Sequence, residues 1–160
     1  MNTPVHPRFL NNPGKVHWEA AKRILRYLKR TKEDKLVFDL TGYQAGAPFK
    51  IVTWSDADFG GDEDRRRSKT GFVVQVNGCS VSWRSKLQSI VAGSTMAAEY
   101  VSLAESVREA AHVRALIHEL DLETERPARH HEDNQPAVAL SKEQTKMGKH
   151  VEVQYHITRQ

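Results

Sequence analysis

Four acidic residues carry the chemical potential of this chain: Asp56 and Asp58 in the stretch Phe49 to Gly60 (FKIVTWSDADFG), then Glu99 and Asp133. The stretch opens on Ile51, Val52, Thr53 and Trp54, which favour a strand, and closes on the two aspartates. Side chains two apart on a strand share a face, so both carboxylates should emerge together at its C-terminal end. Gly60-Gly61 follows at once. Clustered carboxylates suit a hard divalent cation, which binds through oxygen. Glu99 falls near the start of a long helical pattern and Asp133 at a strand-to-helix junction, and from both places a side chain can converge on the same strand end. The chemistry expected of such a group is metal-dependent phosphodiester hydrolysis. Taken by itself, Glu99 on the edge of an apolar stripe reads first as a boundary residue and only second as a ligand.

Other metal and catalytic motifs fail. A calcium loop counted from Asp56 has Gly60 at position 5 and Arg67 at position 12, so the bidentate glutamate is missing. The eight histidines form no His-Glu-x-x-His pair, and His130 and His131, adjacent on a strand, would point to opposite faces. No Walker loop, Gly-x-Ser-x-Gly elbow or nucleophilic cysteine context is present. The single cysteine, Cys79, excludes an internal disulfide and a cysteine zinc site, and is expected to be a small core residue.

The elements that must position the acids can be read in order. Residues 1–14 hold three prolines and form an extended lead-in. Lys15 to Arg30 is an amphipathic helix, with Trp18, Ala21, Leu25 and Leu28 on one stripe and Lys22, Arg23, Arg26, Lys29 and Arg30 opposite. That basic face reads equally as a solvated surface or as one that follows phosphates. Leu36–Leu40 is expected to be a short strand. After the Asp56 strand and a charged turn come Phe72–Val76 and Cys79–Trp83, joined by Asn77-Gly78, a strong hairpin signal. Ser94 or Thr95 caps a helix of about 25 residues and roughly 37 Å, marked by Met96, Tyr100, Leu103, Val107, Ala110, Val113, Ile117 and Leu120. Ala128–Glu132 is expected as a strand, unusually polar because of His130 and His131. Asp133 opens a helix, residues 141–148 form a polar loop, and 151–157 begin a further element.

At 160 residues the chain can bury its own core, and 39% hydrophobic with 28% charged residues is ordinary for a globular protein. A formal charge of +4 mildly favours a polyanionic partner. Residues 1–40 hold nine Lys and Arg against four acids. No apolar run approaches the roughly 18 residues of a membrane span, and no signal peptide is visible, so an intracellular location, cytoplasm or nucleus, is expected rather than secretion.

Six pieces, in order and at consistent spacing, resemble the ribonuclease H region of Ty1/copia-type retrotransposon polyproteins, together with the connection segment before it. They are HWEAAKRILRYLKRT (17–31), WSDADFGGDEDRRRSKTGF (54–72), VSWRSKLQ (81–88), AAEY (97–100), EDNQPAVAL (132–140) and KHVEVQYHITR (149–159). The resemblance implies an α/β ribonuclease H-like fold: a mixed sheet, an antiparallel meander followed by a parallel strand, with helices on both faces. It implies a connection segment over 1–40 and the nuclease domain over 45–160. It also implies that Asp56, Glu99 and Asp133 bind two Mg²⁺ ions, with Mn²⁺ as a substitute, and that the RNA strand of an RNA–DNA hybrid is cut. Two cations about 3.5–4 Å apart would activate the attacking water and stabilise the leaving oxygen. Gln135 would reach the minor groove, where 2′-hydroxyls mark RNA, with Asn134 as a helper. Arg66, Arg67, Lys69, Arg84 and Lys86 could follow phosphates.

The chain departs from that pattern in places. Ala97 stands where the family has a second acid, and His130 and His131 stand where it has apolar residues. The family continues into another strand and an Ala-Asp-x-x-Thr-Lys motif that supplies a fourth ligand, whereas this sequence ends at Gln160. The expectation is therefore a domain truncated at its C-terminus, lacking its last strand and helix, with Glu152 not expected to replace the missing acid. No Tyr-x-Asp-Asp polymerase motif is present, so the polymerase portion or a C-terminal tail would be a partner. The alternative function is a non-catalytic, nucleic-acid-binding or domesticated relic of the same domain.

Overall fold

The computed structural model describes residues 12–62 and 66–142. The elements are α1 (Lys15–Arg30), β1 (Ile51–Asp58), β2 (Lys69–Val76), β3 (Cys79–Leu87), α2 (Thr95–Glu119), β4 (Arg129–His131) and α3 (Gln135–Lys142). Glu152 and the element expected over 151–157 lie outside the described residues. The chain divides into two compact units between Leu36 and Val37.

In the first unit α1 takes its expected bounds. The Gly14 N–H donates to His17 Nδ1 at 2.9 Å to open the helix, and the Thr31 hydroxyl donates to the Tyr27 carbonyl at 3.0 Å to close it. None of its residues is buried, and the apolar stripe of Trp18, Leu25 and Leu28 is exposed.

The second unit is built on a four-stranded sheet in the order β3-β2-β1-β4. Three strands form an antiparallel meander, and β4 joins β1 in parallel. The mixed α/β sheet follows the sequence reading, and β2 and β3 run further than the hydrophobic pattern suggested. At the hairpin both turn residues adopt positive φ, 50° at Asn77 and 82° at Gly78, the conformation that Asn-Gly reaches at least cost. Asn77 also fixes the start of β1, since its side-chain oxygen accepts from the Lys50 N–H at 2.8 Å.

Burial along β1 alternates from Thr53 onward: Thr53, Ser55 and Ala57 are buried, while Trp54, Asp56 and Asp58 are exposed. The buried row meets α2, where Ile51, Phe72, Val74 and Ala110 form the main core. Ile51 and Val74, both fully buried there, contribute roughly 1.5–3 kcal/mol each. The segment Ala98 to Ala104 at the N-terminal end of α2 is buried all round, whereas Leu116 and Leu120 near its end are exposed. The α2 helix lies against β1 and β2, and α3 packs on α2. Of the helices expected on both faces, those described in this unit cover one. The other face carries Trp54, half-buried Val73 and Trp83, the last 61% exposed.

Two expectations need correction. Leu36–Leu40 is not a strand, since among the described residues it joins no ladder and its apolar side chains are exposed. Its Asp39 has other partners: the carboxylate accepts from the Thr41 N–H and hydroxyl, and the carbonyl accepts from the buried Cys79 thiol at 3.6 Å. Residues 141 and 142, expected in a polar loop, belong to α3, and the remainder of that expected loop lies outside the described residues.

Candidate metal centre

The C-terminal end of β1 holds the group that the sequence suggests. One carboxylate oxygen from each of Asp56, Glu99 and Asp133 lies within 4.8 Å of the other two. Three devices produce this convergence.

The first is the register between β1 and β4. Val52 pairs with Arg129, Thr53 with His130 and Trp54 with His131, a constant separation of 77 residues. Carried past the last paired residues, that separation sets Ser55 beside Glu132 and Asp56 beside Asp133. The Ser55 hydroxyl indeed donates to Glu132 at 2.7 Å. Side chains alternate, so Thr53–His130 and Ser55–Glu132 occupy one face while Trp54–His131 and Asp56–Asp133 occupy the other.

The second device sets the approach of α2. Ser94 caps the helix by accepting from the Ala97 N–H at 3.2 Å. Ala57, Ala92 and Ala98 form a cluster of small side chains, with Ala97 against it, that lets the helix come close to the end of β1. Buried Gln88 ties β2 to the helix by donating to Thr70 Oγ1 and to the Ala98 carbonyl at 3.2 and 2.9 Å. One turn after Glu99, Ser102 donates to the carbonyls of Asp56 and Gly71 at 2.7 and 3.0 Å.

The third is the turn into α3. Asn134 Oδ1 accepts from the Ala137 N–H at 2.9 Å and so caps the helix immediately after Asp133.

Electrostatically the site is strained in a way a cation would relieve. Glu99 is only 5% exposed, and its Oε2 is buried without a hydrogen-bond partner. Burial, followed by the charges of Glu132, Asp56 and Asp133, pushes its pKa up to about 7, against one stabilising bond from the Ala57 N–H. Glu132 is also raised, chiefly by burial, although bonds from Ser55 and the Asn134 N–H oppose the shift. Asp56 and Asp133 are exposed. An all-oxygen donor set with a buried, unpartnered carboxylate oxygen fits a hard cation such as Mg²⁺.

Sequence reasoning paired Asp58 with Asp56, and the two do share a face. Asp58, however, is not in the group that could hold an ion, and its carboxylate lies 3.6 Å from Lys69 Nζ. Glu132 was missed as a participant, and its signal was local: an acid next to Asp133 whose partner, Ser55, lies next to Asp56. Among the residues expected to contact nucleic acid, Gln135 is exposed at the start of α3, and Lys86 is exposed on β3. Arg66 is exposed in the turn before β2 and half-buried Arg67 follows it. Asn134 has its side-chain oxygen committed to the cap. Arg84 lies over the Phe72 ring at 5.6 Å and 3.9 Å from Glu105.

Comparison with known proteins places this arrangement in context. The chain is 41% identical over 155 residues to the retrovirus-related Pol polyprotein from transposon TNT 1-94 of Nicotiana tabacum, covering 96% of this chain and 11% of that protein. It is 32% identical over 155 residues to the Pol polyprotein from transposon RE2 of Arabidopsis thaliana, covering 95% of this chain and 10% of that protein. It is 44% identical over 103 residues to secreted RxLR effector protein 161 of Plasmopara viticola, covering 64% of this chain and 69% of that protein. The chain thus spans about a tenth of the polyproteins it matches. No family profile and no solved structure matches it.

Proposed function

Because 95–96% of the chain is similar to a segment of retrotransposon Pol polyproteins, we propose that it is a two-metal endoribonuclease of the ribonuclease H class, cutting the RNA strand of RNA–DNA hybrids. The observation that carries the reading is the meeting of Asp56, Glu99 and Asp133 within 4.8 Å, with Glu99 Oε2 buried and unpartnered.

Asp56, Glu99 and Asp133 would hold Mg²⁺, or Mn²⁺ in its place. The bound ions supply an activated water and charge stabilisation at the scissile phosphate. The remaining work falls to the chain's own residues. Ser102 and Gln88 keep α2 against β1 so that Glu99 reaches Asp56. The buried flank of α2 keeps bulk water from the inner side of the site, which strengthens each charge interaction there. Gln135 contacts the hybrid in its minor groove, and Arg66, Arg67 and Lys86 neutralise phosphates. The polymerase portion of a polyprotein would be its partner in the working assembly.

The test is cleavage of a labelled RNA–DNA hybrid with Mg²⁺ or Mn²⁺, using Asp133→Asn as control. Metal-dependent cutting of the RNA strand that this substitution abolishes is expected. Cutting that survives it would remove the assigned site, and hybrid binding without any cutting would leave the non-catalytic reading.

A further inference from the structure

The fourth acid beside the cluster is tied down in a way the other three are not. Glu132 Oε2 accepts from the Ser55 hydroxyl at 2.7 Å, and Glu132 Oε1 accepts from the Asn134 N–H at 3.2 Å. Ser55 immediately precedes Asp56 on β1, while Glu132 and Asn134 flank Asp133. One carboxylate therefore bridges both chain segments that carry exposed ligands, from the face opposite to those ligands.

This bridge stands where backbone pairing has stopped. The described ladder between β1 and β4 covers only three residue pairs and ends at Trp54–His131. Asp133 lies two residues beyond it. With no further ladder pairs described, the side-chain bonds of Glu132 link the segment that carries Asp133 directly to the one that carries Asp56. Ring stacking of Trp54 on His131, 5.2 Å between centroids and 12° from parallel, steadies the last paired step but does not reach Asp133.

We propose that Glu132 is a positioning residue of the metal centre, its carboxylate clamping Ser55 to the Asn134 N–H so that Asp133 is held beside Asp56. This rests on the cation-binding reading above. Glu132 touches neither substrate nor the reacting atoms in this scheme. Partners that orient metal ligands typically change affinity ten- to a hundredfold when removed, although they do not touch the ion.

Glutamine separates a clamp from a charge. In Glu132→Gln the side-chain oxygen still accepts from the Asn134 N–H. The amide NH₂ then donates to Ser55 Oγ, whose hydroxyl only has to turn. Glu132→Ala removes both bonds, and Ser55→Ala removes one while leaving the charge in place.

The experiment measures Mn²⁺ affinity of the full chain by electron paramagnetic resonance of free Mn²⁺, at a temperature where thermal unfolding curves show every variant folded. Expected are roughly ten- to hundredfold weaker binding in Glu132→Ala, a smaller loss in Ser55→Ala, and near wild-type binding in Glu132→Gln. If Glu132→Ala does not fold, Ser55→Ala and Glu132→Gln decide the matter. Unchanged affinity in Glu132→Ala, or in Ser55→Ala when the former does not fold, overturns the clamp. A Glu132→Gln variant that binds several-fold more weakly than Ser55→Ala overturns it too, because charge would then be what matters. Failure of the wild-type chain to bind Mn²⁺ overturns the metal-centre reading itself, a result separate from any difference among the variants.

Discussion

Ser102 donates its hydroxyl to the backbone carbonyl of Asp56 at 2.7 Å, one helical turn beyond Glu99. The contact joins α2 directly to the residue whose side chain Glu99 must meet. Ser102→Ala removes the donor and leaves a small void, and is expected to cost about 1–3 kcal/mol. Thermal unfolding should show it as a lower midpoint, and Mg²⁺ affinity should fall with it because Glu99 loses its fixed approach. A variant with wild-type midpoint and affinity would mean that α2 is held from elsewhere.

Gln88 performs a related task from the end of β3. Its amide group donates both bonds from a fully buried position, so Gln88→Ala leaves the Ala98 carbonyl and the Thr70 hydroxyl without that donor. A loss of about 2 kcal/mol is expected, measurable by urea denaturation. The slope of the transition should stay unchanged, since no large surface is newly exposed.

Glu99 gives a dependence on pH with a definite sign. Its folded value of about 7 lies above the ordinary 4.5, so within that window the folded chain holds a proton that the unfolded chain has released. Stability of the metal-free chain should therefore fall as pH rises from about 5 to 8, by at most about 3 kcal/mol from this residue. Raised Glu132 acts in the same direction. His130 acts in the opposite one, because burial and neighbouring His131 lower its pKa and stability is lost as the pH drops. Glu99→Gln isolates the effect. Denaturation series at pH 5 and 8 should show a smaller pH difference in the variant, and equal differences would count against the buried acid.

Adding Mg²⁺ should remove that penalty. A cation that binds the folded chain alone stabilises it by about 1.4 kcal/mol at ten times its Kd. The rise in unfolding midpoint should be larger at pH 8, where Glu99 is ionised, than at pH 5, and chelation should abolish it. Asp56→Asn and Asp133→Asn should each remove most of the response. A midpoint rise that persists in both variants would place the ion elsewhere.

The proposed phosphate contacts predict salt-dependent hybrid binding. Replacing Arg66, Arg67 and Lys86 with alanine should weaken binding across sequences. It should also make the plot of log affinity against log salt shallower by about one unit for each phosphate no longer neutralised. Fluorescence anisotropy over a salt series measures this. An unchanged slope would assign these side chains to plain solvated charge.

Much of this architecture was legible because its signals are local. The alternating β1 run, the Asn77-Gly78 turn and the Ser94 cap each lie within a few residues of the element they specify, and each forms as read. What escaped depends on partners far along the chain. The polar character of β4 looks wrong for a sheet until Thr53 and Ser55 stand opposite it, one hydroxyl 2.7 Å from His130 Nδ1 and the other bonded to Glu132. Leu36–Leu40 has strand-forming residues but finds no strand to join. The two aspartates of β1 share a face as alternation requires, yet Lys69 opposite Asp58 gives that acid a different neighbour.

The shortness of β4 has a consequence for how the protein comes apart. Three ladder residues fasten the segment that delivers Asp133, whereas eight residue pairs join β1 to β2. Fluctuations that release so short an edge cost far less than melting the whole sheet. Amide hydrogens of Arg129 to His131 should thus exchange well before those of β2, and ion binding should slow that exchange selectively.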